Sequence, residues 1–265
     1  MDKRPNFKKA SYKANLAPNQ IWLYGFHAVK EALLNHSNIY KLVITDKVKN
    51  KLLEDANYHK ILASLKPFTQ GVNFKEVPKL LNLDLNINHQ GVAILVDAPK
   101  ILKLSDFNAE LEKNKLINKV IILDQITDVG NIGAIIRSAV AFNIYHIFIT
   151  EHNSCTDYNI LSKASSGMVN KIKIFQTSSY IKLLNLLKAK NFWCMGLDGQ
   201  GDTSLANLKS YDKIAVILGN EHKGIRPLIK KNCDLLTFIE TNKEVESLNV
   251  ANAAAIVCYK LNESL

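Results

Sequence analysis

From Lys119 onward, short apolar runs alternate with amphipathic stretches, and this alternation constrains the fold more than any other feature of the chain. Strand-like runs fall at 120–123, 145–150, 172–175, 192–197, 214–218 and 235–239, and helical spacing begins at Ile132, near 159–170, over 180–190 and at Leu248. Runs that are apolar throughout need cover on both faces, which predicts an α/β fold with a mostly parallel sheet. Upstream, a helical pattern at 24–34, strands at 40–45, 72–77 and 92–96, and a Lys-rich helix over 48–66 predict a smaller α/β module. The polar stretch 97–116 reads as a linker or a short amphipathic helix, and the domain boundary is expected there. Residues 1–20 carry Lys3, Arg4, Lys8, Lys9 and Lys13 against Asp2, so they read as a disordered basic arm that either tracks a nucleic-acid backbone or aids solubility.

Charge narrows the choice of partner. The 34 Lys and Arg against 24 Asp and Glu leave +10, which favours a polyanion such as RNA or DNA, because each phosphate neutralised releases a condensed counterion. A solvated Lys-rich surface without such a partner is the alternative. Only Arg4, Arg137 and Arg226 are arginines, so Arg137, inside a motif-like segment, is read as needed for its planar fork. Cys155, Cys194, Cys233 and Cys258 form no Cys-x-x-Cys pair and predict neither a metal site nor a disulfide framework, but reduced thiols of a cytoplasmic protein. No apolar run approaches the roughly 18 to 20 residues of a membrane span, so no membrane partner is expected.

Three polar islands each follow an apolar run and are expected along one sheet edge, where α/β proteins bind ligands. The first is Asp128-Val129-Gly130-Asn131-Ile132-Gly133 running to Arg137, with Asn131 placed as a helix N-cap. Its two glycines lack the third glycine and the acidic partner of a dinucleotide loop. The second, Gly219-Asn220-Glu221-His222-Lys223-Gly224, ends a strand on a glycine that lets backbone approach a ligand; Gly224, Arg226 and Pro227 read as turn and helix-start residues. The third, Glu246-Ser247-Leu248-Asn249-Val250, opens a final helix rich in small residues.

In this order the islands resemble the three motifs of the SpoU/TrmH branch of the SPOUT methyltransferases. Tyr24-Gly25-Phe26-His27-Ala28-Val29 and His89-Gln90-Gly91-Val92 are similar to the small RNA-binding domain of bacterial 23S rRNA guanosine-2'-O-methyltransferases, and Ser162-Lys163-Ala164-Ser165-Ser166-Gly167 to their mid-domain segment. The likeness spans about 21–262, with one departure at Val129, where the family often has proline. It implies an N-terminal RNA-binding domain at 21–96, a catalytic domain at 117–265 tied in a trefoil knot, and a homodimer. It also implies S-adenosyl-L-methionine as cofactor, contacted by Gly219, Ile239 and Leu248, with Gly196 and Leu197 beside them. Asn131, Arg137, Glu221, Ser247 and Asn249 would shape the reacting centre, Arg137 positioning the target phosphate and the developing alkoxide. The reaction implied is methylation of a ribose 2'-hydroxyl of a guanosine in 23S rRNA. A tRNA guanosine, an rRNA adenosine, a ribosome-assembly factor without catalysis and, more distantly, a nicotinamide-dependent dehydrogenase stay open as alternatives.

Overall fold

The structure, a computed structural model, describes residues 20–35, 38–66, 69–81, 88–151, 156–242, 244 and 247–263. Nearly all of the basic arm, Cys155 and Glu246 lie outside them. The chain divides into two compact units between Ala98 and Pro99.

The first unit contains β1 (Gln20–Tyr24), α1 (Phe26–Asn35), β2 (Ile39–Ile44), α2 (Asp46–Leu53), α3 (Ala56–Ser64), β3 (Thr69–Gly71), α4 (Val77–Leu81) and β4 (Val92–Asp97). Its sheet runs β1-β4-β2-β3, antiparallel except for β2 with β3. Trp22, Val43 and Ala93 pack with Val77 and Leu81 of α4, while Leu23, Leu42, Ile44 and Ile94 are buried at the alternate positions. The helix expected over 48–66 is two helices, because Asp55 breaks it by accepting from the Asn57 N–H as the cap of α3. The strand expected at 72–77 is instead the short β3 followed by a 3₁₀ turn and α4. His89-Gln90-Gly91 is a left-handed turn into β4, with φ of 53° at Gln90 and 80° at Gly91. Gln90 Oε1 accepts from the Phe26 N–H at 2.7 Å and so ties this turn to the start of α1. His89 is buried, its pKa is lowered by that burial, and its Nδ1 accepts from the Gly91 N–H at 3.1 Å. A Cβ at Gly91 would sit 2.8 Å from Thr45 Oγ1, so the glycine is required twice over.

The second unit contains β5 (Leu102–Lys103), α5 (Leu104–Lys113), β6 (Lys119–Asp124), α6 (Val129–Ala141), β7 (His146–Thr150), α7 (Tyr158–Ala164), β8 (Lys173–Thr177), α8 (Tyr180–Ala189), β9 (Trp193–Leu197), β10 (Thr203–Ser204), β11 (Ile214–Gly219), α9 (Pro227–Lys230), β12 (Leu235–Phe238) and α10 (Val250–Glu263). The eight strands are ordered β10-β12-β9-β11-β6-β7-β8-β5, and every recorded pairing is parallel. β6 is buried along its whole length, as its unbroken apolar run predicts. Ile121 and Leu123 turn to one face, under α6 and α10; Val120 and Ile122 turn to the other, against Phe107 of α5 and Leu183, Leu184 and Leu187 of α8. Within the 97–116 stretch, α5 belongs to this unit: Phe107 is fully buried, edge-on to Phe148 at 5.0 Å, with Leu111 one turn later on the same face. β6 lies where the strand order reverses, with β7 on one side and β11 on the other, and Gly219 pairs in register with Asp124. A crevice is expected outside those two strand ends.

Candidate active site

Asp128, not Asn131, caps α6: its carboxylate accepts from the Asn131 N–H at 2.8 Å. That frees the Asn131 side chain, which donates through Nδ2 to Glu221 Oε1 and accepts through Oδ1 from Asn249 Nδ2 at 3.1 Å. Asn249 caps α10, its Oδ1 accepting from the N–H groups of Ala251 at 2.9 Å and Asn252 at 3.4 Å. One residue from each island thus joins a single chain whose donor and acceptor ends are all determined. The carboxylate can only accept from Asn131, and the α10 N–H groups can only donate to Asn249.

Arg137 is not in this chain. It follows Asn131 by six residues on α6, which turns it roughly 120° away around the helix axis, and its side chain is exposed with no ion pair among the described residues. Gly133, on the same helix, allows the close approach of α7: a Cβ there would meet the Ala164 backbone at 2.5 Å. The segment Ser162 to Gly167 is the end of α7 and its left-handed exit, with φ of 53° at Ser166 and 85° at Gly167.

A cleft of about 680 Å³ opens beside β11. Leu197, Gly219, Ile239 and Leu248 line it, together with Glu221 and Ser247. Gly196 is not among its walls; its missing Cβ is answered by Leu236, Ile225 and Cys233 side chains at 2.9 to 3.1 Å. Beyond Gly219 the chain folds back on itself, Asn220 and Gly224 exchanging N–H···O=C bonds of 3.2 and 2.8 Å. A Cβ on Gly219 would fall 2.2 Å from the Gly224 carbonyl carbon. Asn220 fastens the turn, its Oδ1 accepting from the His222 N–H and its Nδ2 donating to the Gln125 carbonyl at 3.2 Å. Asp198 and Lys230, paired at 2.8 Å, are further polar walls that the sequence did not single out. Leu197, Ile225, Ile239 and Leu248 give the cleft apolar walls and Asp198, Asn220, Glu221 and Ser247 polar ones, a mixture that suits a nucleoside-bearing cofactor.

Arg226 does more than start a helix. Its Nε donates to Asp124 Oδ1 at 2.7 Å, its backbone N–H donates to Asp124 Oδ2 at 2.8 Å, and its guanidinium lies 5.3 Å from the Tyr180 ring centre. Asp124 is fully buried, and Tyr180, whose hydroxyl donates to the Leu123 carbonyl at 2.6 Å, has its pKa raised, chiefly by burial. An acid closing a buried strand was the available signal for a buried partner.

Residues 118–259 match the family model described as the SpoU rRNA Methylase family. The chain belongs to this SpoU family. Residues 22–102 match a second model, described as RNA 2'-O ribose methyltransferase substrate binding. A Staphylococcus epidermidis protein assigned to the TrmH family of tRNA/rRNA methyltransferases is 30% identical over 242 residues, 91% of this chain and 94% of that one. The fold is shared with the SpoU methyltransferase AviRb of Streptomyces viridochromogenes, in complex with AdoMet, at a TM-score of 0.70 and 19% identity, covering 92% of this chain and 90% of that one. It is also shared with a crystallised RNA 2'-O ribose methyltransferase, at a TM-score of 0.72 and 18% identity over 93% and 89% of the two chains. The chain is therefore a SPOUT-class RNA methyltransferase by family; its polar chain joins residues that follow β6 and β11, on either side of the switch point, and the cleft lies beside the ends of β9, β11 and β12. Among the described residues no cluster of His, Cys, Asp and Glu forms a metal site, and no helix is long and apolar enough to cross a membrane.

Proposed function

We propose that this protein methylates the ribose 2'-hydroxyl of a guanosine in 23S rRNA, with S-adenosyl-L-methionine bound in the 680 Å³ cleft. The observation that carries the reading is the Glu221-Asn131-Asn249 chain, which ends on a carboxylate lining that cleft. Leu197, Ile239 and Leu248 would flank the cofactor, and Gly219 lets the Asn220 to Gly224 turn close tightly as a wall of its place. Bound there, the cofactor supplies an electrophilic methyl group. A ribose hydroxyl is a poor nucleophile until its proton is drawn aside. Glu221 has a second carboxylate oxygen without a partner among the described residues, suited to accept that hydroxyl's hydrogen bond. Asn131 and Asn249 hold the carboxylate, and Ser247 offers a further hydroxyl on the cleft wall. Arg137, exposed and unpaired among the described residues and outside the lining of the cleft, is assigned to an RNA phosphate, which its planar, positively charged fork fits.

Residues 21–96 are assigned to RNA binding, 1–20 to a basic arm and 117–265 to catalysis, with β5 and α5 of the 97–116 stretch packed into the catalytic unit; the 22–102 match and the +10 charge support the RNA-binding assignment. A trefoil knot is supported by the 198–204 segment lying against β12, where Asp198 and Asp202 N–H groups bond Thr237 and Leu236 carbonyls, and where a Cβ on Gly201 would meet Leu236 O at 2.6 Å. A homodimer is supported by Ile256 and Tyr259, exposed on α10 with Phe142 edge-on at 5.8 Å from the Tyr259 ring. The cytoplasm is the assigned compartment, where inert reduced thiols are usual; burial pushes Cys194 and Cys258 up to about 12.

The test is methyl transfer from labelled S-adenosyl-L-methionine to an unmodified 23S rRNA transcript, with the product mapped by resistance of the 2'-O-methylated linkage to alkali. One guanosine should carry the label on its ribose. Label on a base, on tRNA only, or nowhere overturns the reading.

A further inference from the structure

A second cavity, about 420 Å³, opens at the C-terminal ends of β6, β7 and β8. Gln125, Thr150, Thr177, Ser178, Lys223 and Arg226 are on its walls. Asn220 and Lys223 line this cavity and the cleft alike, so the turn between them is a common wall. Its size is within the roughly 300 to 1,000 Å³ of small-ligand sites.

Its chemistry points to a nucleotide. Gln125 has a φ of 59°, a left-handed conformation that is costly in any residue other than glycine and, to a smaller degree, Asn or Asp. The backbone contact made there, the Gln125 carbonyl accepting from Asn220, would be made equally well by glycine. What glycine would lack is the exposed carboxamide on the cavity wall, and backbone strain kept beside a cavity points to a use for that side chain. A carboxamide offers one donor and one acceptor together, the pair that reads a base edge. Arg226 is held from behind by Asp124 and from one side by Tyr180, which leaves its terminal nitrogens without partners among the described residues and its fork already oriented. A planar fork of this kind matches phosphate. Lys223 adds a second cation, against Glu151 as the one acid of the lining.

We propose that this cavity holds the nucleotide next to the methylated one in the same RNA strand, its phosphate on Arg226 and Lys223 and its base edge on Gln125. The proposal rests on the reading of the neighbouring cleft as the methyl-transfer site. The shared wall is what makes successive nucleotides of one strand the fitting occupants.

Gln125→Gly tests it most cleanly, because it removes the carboxamide while relieving the backbone and keeping the carbonyl. Wild type, Gln125→Gly and Arg226→Gln are compared by filter binding of the 23S rRNA transcript across a salt series, by methyl-transfer kinetics and by calorimetric titration of the cofactor. Gln125→Gly should melt no lower than wild type and bind cofactor as tightly. Its RNA Kd and KM should rise about 5- to 100-fold, by more than any fall in kcat. Arg226→Gln should flatten the salt slope by about one; should it fail to fold, Gln125→Gly decides. An active wild type with unchanged RNA Kd and KM in Gln125→Gly overturns the cavity alone. An inactive wild type whose RNA binding is still weakened by Gln125→Gly overturns the methyl-transfer reading and leaves the cavity standing. Wild type that neither binds nor methylates the transcript overturns both.

Discussion

Asn249 donates to the side-chain oxygen of Asn131, 118 residues earlier, at 3.1 Å. The bond gives both carboxamides one orientation, because the other end of each is already committed, Asn131 to Glu221 and Asn249 to the first N–H groups of α10. Rotating either amide would set donor against donor or acceptor against acceptor. The consequence is a carboxylate held on the cleft wall by two helices, α6 and α10, that also pack on each other.

Members of such a chain act as a unit, so their losses are not additive. Asn131→Ala and Asn249→Ala should each lower kcat by about 10- to 100-fold, and the double variant should be little worse than the poorer single one. Single-turnover methyl transfer measures all three; a double variant showing the product of the two losses would contradict the shared orientation.

Arg137 is exposed and has no ion pair among the described residues, so its removal leaves no buried partner behind. Arg137→Ala should lose roughly 10²- to 10³-fold in turnover while its unfolding free energy from a urea titration stays within about 0.5 kcal/mol of wild type. Near-normal turnover rejects the assigned role, and a large stability loss rejects the reading of an unengaged surface side chain.

Gly219 stands where a Cβ would overlap the Gly224 carbonyl carbon at 2.2 Å, a backbone atom that cannot swing aside. Gly219→Ala must therefore open the Asn220 to Gly224 turn. Overpacking of this kind costs about 1 to 3 kcal/mol in stability, and cofactor affinity should drop at least about tenfold in calorimetry because the turn is a cleft wall. Wild-type affinity in a folded Gly219→Ala protein would show that the turn does not shape the site.

Acid should weaken the second unit through Glu110 and His146. Burial alone would raise Glu110, but hydrogen bonds from Lys173 and from His146 at 3.1 Å outweigh it and hold the carboxyl below its usual range. Burial lowers His146 by more than Glu110 restores, so the ring is neutral at pH 7 and Lys173 is the charged partner of Glu110. Both folded pKa values lie below the unfolded ones, so the stabilisation is complete above about pH 6.5. It declines first as unfolded histidine takes up protons, then below about pH 4.3 as the unfolded carboxyl does. Thermal melts from pH 7 to 4 should fall steadily, and His146→Gln should fall less between pH 6.5 and 5. Parallel curves for the two proteins would remove His146 from the effect.

Residues whose role depends on local spacing were legible in the sequence. The unbroken apolar run from Val120 to Leu123 could only be a central strand, and Gly219 at the end of another such run marked a close backbone approach. Where spacing misled, short-range polar chemistry had overruled it. Asp128 took the cap expected of Asn131, Asp55 split a helix, and β3 with the 3₁₀ turn after it replaced a strand. Arg226 read as a turn residue because its partner, Asp124, is 102 residues away.

The order of apolar runs and polar islands determined by itself that the chain builds a parallel α/β unit with its polar loops at one sheet edge, since periodicity and burial are properties of neighbours along the chain. Only the tertiary structure decided which loop side chains meet. It joined Asn131 to Glu221 and Asn249, left Arg137 apart on α6, and buried Asp124 against Arg226. The physical reason is that a hydrogen bond depends on a few tenths of an ångström and on direction, and across 90 or more residues those are set by how strands and helices pack.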